Sequence, residues 1–173
     1  MSLKTVSRWF VLGLSVAALS ACARENPLEV TIDHCPAVAV MGDMGTFTRI
    51  KGDSDLAKDI EYTATLSRVD TECSQEEQVA TKVSFDISVL AGPANKDRSV
   101  TVDYFVLTLK DNYSLISKKT YSVTLTFDRS GRASKRQTID HLVPTIDQAR
   151  EYDYEILLAL NLTPNEVMRN IKR

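Results

Sequence analysis

The chain has 173 residues, 43% of them apolar and 25% charged, with 21 Lys and Arg against 23 Asp and Glu and a formal charge of -2. That apolar share excludes wholesale disorder, and the mild acidity offers no electrostatic reason to bind nucleic acid. A length of this order fits one domain with a real core.

Residues 1–8, MSLKTVSR, carry Lys4 and Arg8 and no acid, and residues 9–21, WFVLGLSVAALSA, are apolar or small throughout. A charged start, a short apolar middle and a small-residue end predict a secretory signal peptide over 1–21. A membrane span needs about 20 apolar residues, and this run is shorter. Arg8 and the Ser/Ala-rich end argue against a buried core helix.

The run closes on Leu19-Ser20-Ala21-Cys22. This string resembles the bacterial lipobox: an aliphatic residue, a small residue, Gly/Ala/Ser, then Cys. Every position matches, at the right distance from the charged start, although the resemblance covers residues 1–22 alone. It implies that the Cys22 thiol receives a diacylglycerol with palmitate-class chains. The leader would be cut before Cys22 and the new amino group acylated. Each buried methylene contributes about 0.8 kcal/mol and one myristoyl chain holds only marginally, so two or three longer chains would make a lasting anchor.

The resemblance also implies the place. By the enterobacterial sorting rule, Asp directly after the lipid cysteine retains a lipoprotein in the inner membrane. Here that residue is Ala23, so the expected location is the periplasmic face of the outer membrane. Two of the 21 basic residues lie in the leader, so the mature chain carries 19 against 23 acids, a formal charge near -4. The lipidated tether is expected over 22–29, and its segment CARENPL spans at most about 25 Å.

The folded domain is expected over 30–173. Short strand candidates come first, at 37–41 and 45–50. IEYTATL (60–66) then alternates Ile60, Tyr62, Ala64 and Leu66 against polar neighbours, and KVSFDISVL (82–90) places Val83, Phe85, Ile87 and Val89 on one face. A strand over 101–109 precedes YSVTLTF (121–127), with Tyr121, Val123, Leu125 and Phe127 in one row. A short candidate at 138–142 is followed by YDYEILLALNL (152–162), which aligns Tyr152, Tyr154, Ile156, Leu158, Leu160 and Leu162. Period two with β-branched and aromatic residues marks half-buried strands. Gly42-Asp43, Gly52-Asp53, AGPANKDR, KDN and RSGR supply the turns.

Seven or eight strands without intervening helices predict an all-β fold, a single antiparallel β-sandwich, immunoglobulin-like or related. The one helix signal is terminal. Thr163-Pro164-Asn165-Glu166 is a capping box with Pro at the first helical position, so a helix is expected over 164–172 with Val167, Met168 and Ile171 on its packing side. The mature domain resembles immunoglobulin-like and fibronectin-like envelope sandwiches in architecture only. It has no Trp, and its two cysteines lie close in sequence, both before the middle.

Cys35 and Cys73 would fold in an oxidising compartment, where a disulfide is the default. It would close a loop of about 40 residues, worth on the order of 4 kcal/mol in the chain-entropy model, and would pin the first strand or its loop to an early strand. Metal thiolates lack support, with no C-x-x-C and no histidine pair at ligand spacing.

Both histidines sit in the tetrapeptide TIDH, at 31–34 and 138–141. Asp-His pairs serve as ligands or as base and orienter, but no longer repeat flanks these, and adjacent strand residues point to opposite faces. Surface strand ends are the simpler account. No G-x-S-x-G, no Ser-x-x-Lys and no glycine-rich phosphate loop occurs. Asp53, Asp55 and Asp59 begin like a calcium loop but lack its central Gly and closing Glu. Asp70, Glu72, Glu76 and Glu77 are expected to form a solvated acidic loop around Cys73.

The cations Arg129, Arg132, Lys135 and Arg136 fall in DRSGRASKRQ, expected as a connection between strands. They offer contact with an anionic envelope component such as lipopolysaccharide, phospholipid headgroups or an acidic protein face. The function expected is that of a lipid-anchored envelope protein without catalytic residues, cofactor or metal. It would act as a binding or structural assembly subunit on a protein partner, and an exposed strand edge or apolar patch would favour this. A small-ligand or anionic-lipid binder would show a closed apolar pocket between sheets, and a hydrolase a convergent polar cleft.

Overall fold

A computed structural model describes residues 35–52, 56–143 and 145–172. The expected signal peptide over 1–21, the expected tether with Cys22 and Ala23, His34, and the Asp53 and Asp55 positions lie outside them. The described chain is β1 (Ala37–Val40), β2 (Thr46–Ile50), β3 (Ile60–Gln75), β4 (Val79–Ala91), β5 (Ser99–Lys110), β6 (Ser114–Thr126), β7 (Arg132–Val143), α1 (Ile146–Glu151), β8 (Tyr154–Leu160) and α2 (Pro164–Ile171).

The strands form two four-stranded sheets, sheet I in the order β1-β8-β5-β6 and sheet II in the order β2-β3-β4-β7. A meander builds most of sheet II, β1 and the β5–β6 hairpin lie in sheet I, β7 returns to β4, and β8 inserts between β1 and β5. All pairings are antiparallel except β1 with β8, where Ala37 sits opposite Glu155 and Val40 opposite Leu158 in parallel register. The expectation of a wholly antiparallel arrangement is corrected there. Parallel neighbours need a long crossover, and nearly the whole domain lies between these two strands.

Alternation places the core. Phe85 and Ile87 from β4 meet Val102, Tyr104 and Val106 from β5, Val123 and Leu125 from β6, and Ile156, Leu158 and Leu160 from β8 in one buried cluster spanning both sheets. Phe85 and Tyr104 interlock edge to face across the sheets, centroids 5.5 Å apart at 81°, a geometry that adds to area burial. β8 is central in its sheet, so Ala159 on its second face is buried as well, and its sequence reads as nearly continuous apolar.

Cys35 and Cys73 lie at disulfide-bonding distance, with Cα atoms 6.2 Å apart. Cys35 immediately precedes β1 of sheet I and Cys73 belongs to β3 of sheet II, so the link crosses between the sheets. Beside it, Val79, Val143 and Ala149 form a small second cluster under α1. That six-residue helix was not expected. Its signal is present as Thr145-x-x-Gln148, and the Thr145 hydroxyl accepts the Gln148 N–H at 3.2 Å.

At α2 the capping box forms: Thr163 N–H donates to Glu166 Oε2 at 2.8 Å, and Glu166 N–H to the Thr163 hydroxyl at 3.4 Å. The expected packing side is corrected in part, since Val167 is half-buried. Met168 and Ile171 stand 51% and 55% exposed, while Asn170 donates to the carbonyls of Asp43 and Thr46 at 2.8 and 2.7 Å. Glu166 pairs with Arg49 at 3.3 Å. Asn170 thus ties the helix by its polar side to the carbonyls of Asp43 and of the first residue of β2.

Candidate functional site

The four predicted cations do not share one connection. Only Arg129 lies in the β6–β7 turn, because β7 begins at Arg132, opposite Leu90. Asp128 builds the turn, its Oδ1 accepting from Ser130 N–H at 2.8 Å, the Ser130 hydroxyl at 2.7 Å and Arg132 N–H at 2.9 Å. The Arg132 N–H, with the Ser130 hydroxyl next, holds the Asp128 carboxyl below the usual carboxylate range. Gly131 sits at φ 72°, a left-handed position that favours glycine.

Along β7 the pleat then separates the rest. Arg132 and Arg136 face outward from sheet II, and Lys135 stands on the opposite face. Arg136 is already engaged, its guanidinium 3.3 Å from Asp86 and 3.5 Å from Asp70. Asp86 is 3% exposed and pairs also with Arg68. Arg68 reaches it because the β3 register skips Arg68 and Val69 between Ser67 and Asp70, with Arg68 at φ 51°. The bulge turns this residue over the neighbouring strand. The expected acidic loop is likewise partly strand: Asp70 and Glu72 lie on β3, and Glu72 pairs with Lys82 at 3.6 Å.

Outside sheet II an open trough of about 610 Å³ runs past Thr63, Thr65, Ser88 and Ser134, flanked by Arg68 and Arg132. Its lining hydroxyls belong to cross-strand pairs: Thr63 with Thr48 at 3.2 Å, Thr65 with Thr46 at 3.2 Å, Ser88 with Ser134 at 3.0 Å. Such cross-strand pairs stabilise the sheet and keep its outer face polar. Sequence reasoning passed over them, although Ser and Thr alternate visibly with the core residues. The Asp128 carboxylate also lines the trough, so it can receive a polar group bearing both donors and acceptors, with Arg132 as the predicted cation that adjoins it.

Among the described residues β6 and β7 are the sheet edges on one side, each bonded to a neighbour on one flank only. The crevice between them, about 30 Å³, is bordered by Lys119, Tyr121, Ile139 and His141. His141 therefore faces inward rather than sitting at a surface strand end. Its Nε2 is buried and has no hydrogen-bond partner among the described residues, and its ring lies 6.4 Å from that of Tyr154. Burial, with Lys119 second, pushes the imidazole below its ordinary range. Tyr104, whose hydroxyl donates to Gln137 at 3.3 Å, is pushed up by burial and then by Tyr121.

Between the sheets the space is filled by Phe85, Ile87, Ile156, Leu158 and Leu160, each 0% exposed. Among the described residues no three His, Cys, Asp or Glu gather as a metal site, and no helix is long and apolar enough to cross a membrane. No family model matches this chain, and neither does any curated protein or solved structure.

Proposed function

We propose that the protein is a lipid-anchored component of the cell envelope, held through Cys22 at the periplasmic face of the outer membrane, whose two-sheet body is a β-sandwich of immunoglobulin-like or related kind. It acts without catalysis, as a binding or structural subunit that receives an envelope protein partner. The observation that carries the partner reading is the pair of long one-sided edges, β6 of 13 residues and β7 of 12. An exposed edge offers a row of backbone donors and acceptors to an added strand. Lys119 and Lys135 on these edges discourage indiscriminate pairing and favour an acidic segment. A second reading, binding of an anionic lipid or small ligand, is favoured by the trough between Arg68 and Arg132.

A photo-crosslinking residue at Thr120 of β6 or Ser134 of the trough, used in intact cells, separates the two. A protein adduct from Thr120 supports the assembly reading, and a lipid or small-molecule adduct from Ser134 alone supports the second. Adducts from neither position refute both. Fractionation of envelopes on a density gradient tests the place: inner-membrane banding overturns the sorting claim, and a soluble protein overturns the anchor.

A further inference from the structure

The β5–β6 hairpin ends in an apolar tip that the domain leaves uncovered. Tyr113 is 83% exposed, Leu115 58% and Ile116 50%. Lys110 and Ser114 are the last paired residues, and the turn between them passes through Asp111 and Asn112 at φ 54° and 64°. Thr108 faces Ser117 and Leu109 faces Leu115, so Ile116 is an extra residue in β6. The bulge keeps two successive aliphatic side chains out of the core. The tip is firmly mounted: Asp111 N–H donates to the Asp153 carbonyl at 2.7 Å, and Asp153 N–H to Asp111 Oδ1 at 3.3 Å.

Strand register decides which way this tip points. β5 ends with Lys110 opposite Tyr154, at the start of β8. β1 begins with Ala37 opposite Glu155, so Cys35 and the hairpin tip leave sheet I at the same end. With strands about 4.8 Å apart, they stand roughly 10–15 Å from one another across the sheet. Residues 23–34 join Cys22 to Cys35, a path of at most about 45 Å.

We propose that Tyr113, Leu115 and Ile116 enter the interfacial layer of the same bilayer that holds the Cys22 acyl chains, so that the domain stands on its tether end. This rests on the lipid-anchor reading above. An aromatic ring with a polar tip suits the headgroup level, and adjacent aliphatic side chains suit the acyl boundary beneath it. The contact is apolar, because Glu76 and Glu77 occupy the neighbouring β3–β4 turn at this end and Lys110 lies over the Tyr152 ring. Met168 and Ile171 lie on α2, which follows the far end of β8, opposite the hairpin tip.

The sole Trp of the sequence, Trp9, lies in the leader, so Tyr113→Trp gives the mature lipoprotein a single reporter, and Met168→Trp gives a control at the opposite end. Each full-length lipidated protein is reconstituted into phosphatidylethanolamine–phosphatidylglycerol vesicles, with and without lipids brominated near the headgroup. At an interfacial depth of about 5–10 Å the Tyr113→Trp emission shifts to the blue and falls by roughly half with brominated lipid, unchanged by added salt, while Met168→Trp is unaffected. If the protein floats with the vesicles but Tyr113→Trp is not quenched, the inference is overturned and the anchor stands. A blue shift without bromine quenching means that a protein surface or second copy covers the tip, and also overturns it. If the expressed protein carries no acyl chain and does not float, the anchor fails and the inference with it.

Discussion

Asp86 offers a sharp test of how sheet II is held together. Its side chain is 4% exposed, whereas those of Arg68 and Arg136 above it are 72% and 46% exposed. Removing one arginine leaves the carboxylate with the other, so Arg136→Met and Arg68→Met should each cost about 1.5 kcal/mol, the low end for a hydrogen bond to a charged group because both arginines are exposed. Removing both strands a buried charge without a partner, which costs about 3–5 kcal/mol. For a domain of this size that lowers Tm by roughly 2–4 °C per kcal/mol. Adding Asp86→Leu to the double variant should restore most of the loss, because it removes the charge that needed a partner. Urea unfolding at neutral pH reads all four proteins, with m unchanged if only the native state is affected. A double variant that loses less than about 1 kcal/mol, or one that Asp86→Leu does not rescue, means that water reaches Asp86 and the reasoning is wrong.

Joint Cys35→Ser and Cys73→Ser substitution should lower stability by about 4 kcal/mol, since the residues are 38 apart in sequence. Non-reducing peptide mapping should recover the pair linked, and two alkylatable thiols in folded protein would contradict it. Since burial lowers the His141 pKa, the unfolded chain binds its proton more readily, so this group's contribution is complete above the ordinary histidine range and is lost as pH falls through that range to the folded value. NMR titration should show a His141 midpoint below 6.5, and a midpoint at or above it would exclude the buried placement. Gly92→Ala should destabilise by about 1–3 kcal/mol, because an added Cβ would meet the Ile60 carbonyl oxygen at 2.2 Å; unchanged thermal unfolding would count against that approach. Cys22→Ala should abolish fatty-acid labelling, and label that persists would disprove the lipobox assignment.

The alternation of Val83, Phe85, Ile87 and Val89, or of Val123 and Leu125, determines by itself which face of each strand is buried, because the strand period is a local property of the backbone. The capping box at Thr163 is legible for the same reason, whereas the Thr145 cap precedes only six helical residues, too few to show an apolar period. Partners across the sheets are another matter. Nothing in β1 announces parallel pairing with β8, and nothing near Arg136 reveals that a carboxylate 50 residues away would engage it. The run of Arg129, Arg132, Lys135 and Arg136 looked like one patch, yet the pleat of β7 sends its members to different faces and the turn keeps only the first. Nothing along the chain marks Tyr113, Leu115 and Ile116 as an exposed tip; the registers of β5, β6 and β8 place it at the end of sheet I from which Cys35 leaves. Burial pattern follows from neighbours along the chain, whereas edges, ion pairs and the direction a tip faces follow from contacts between distant segments, which only the closed tertiary structure decides.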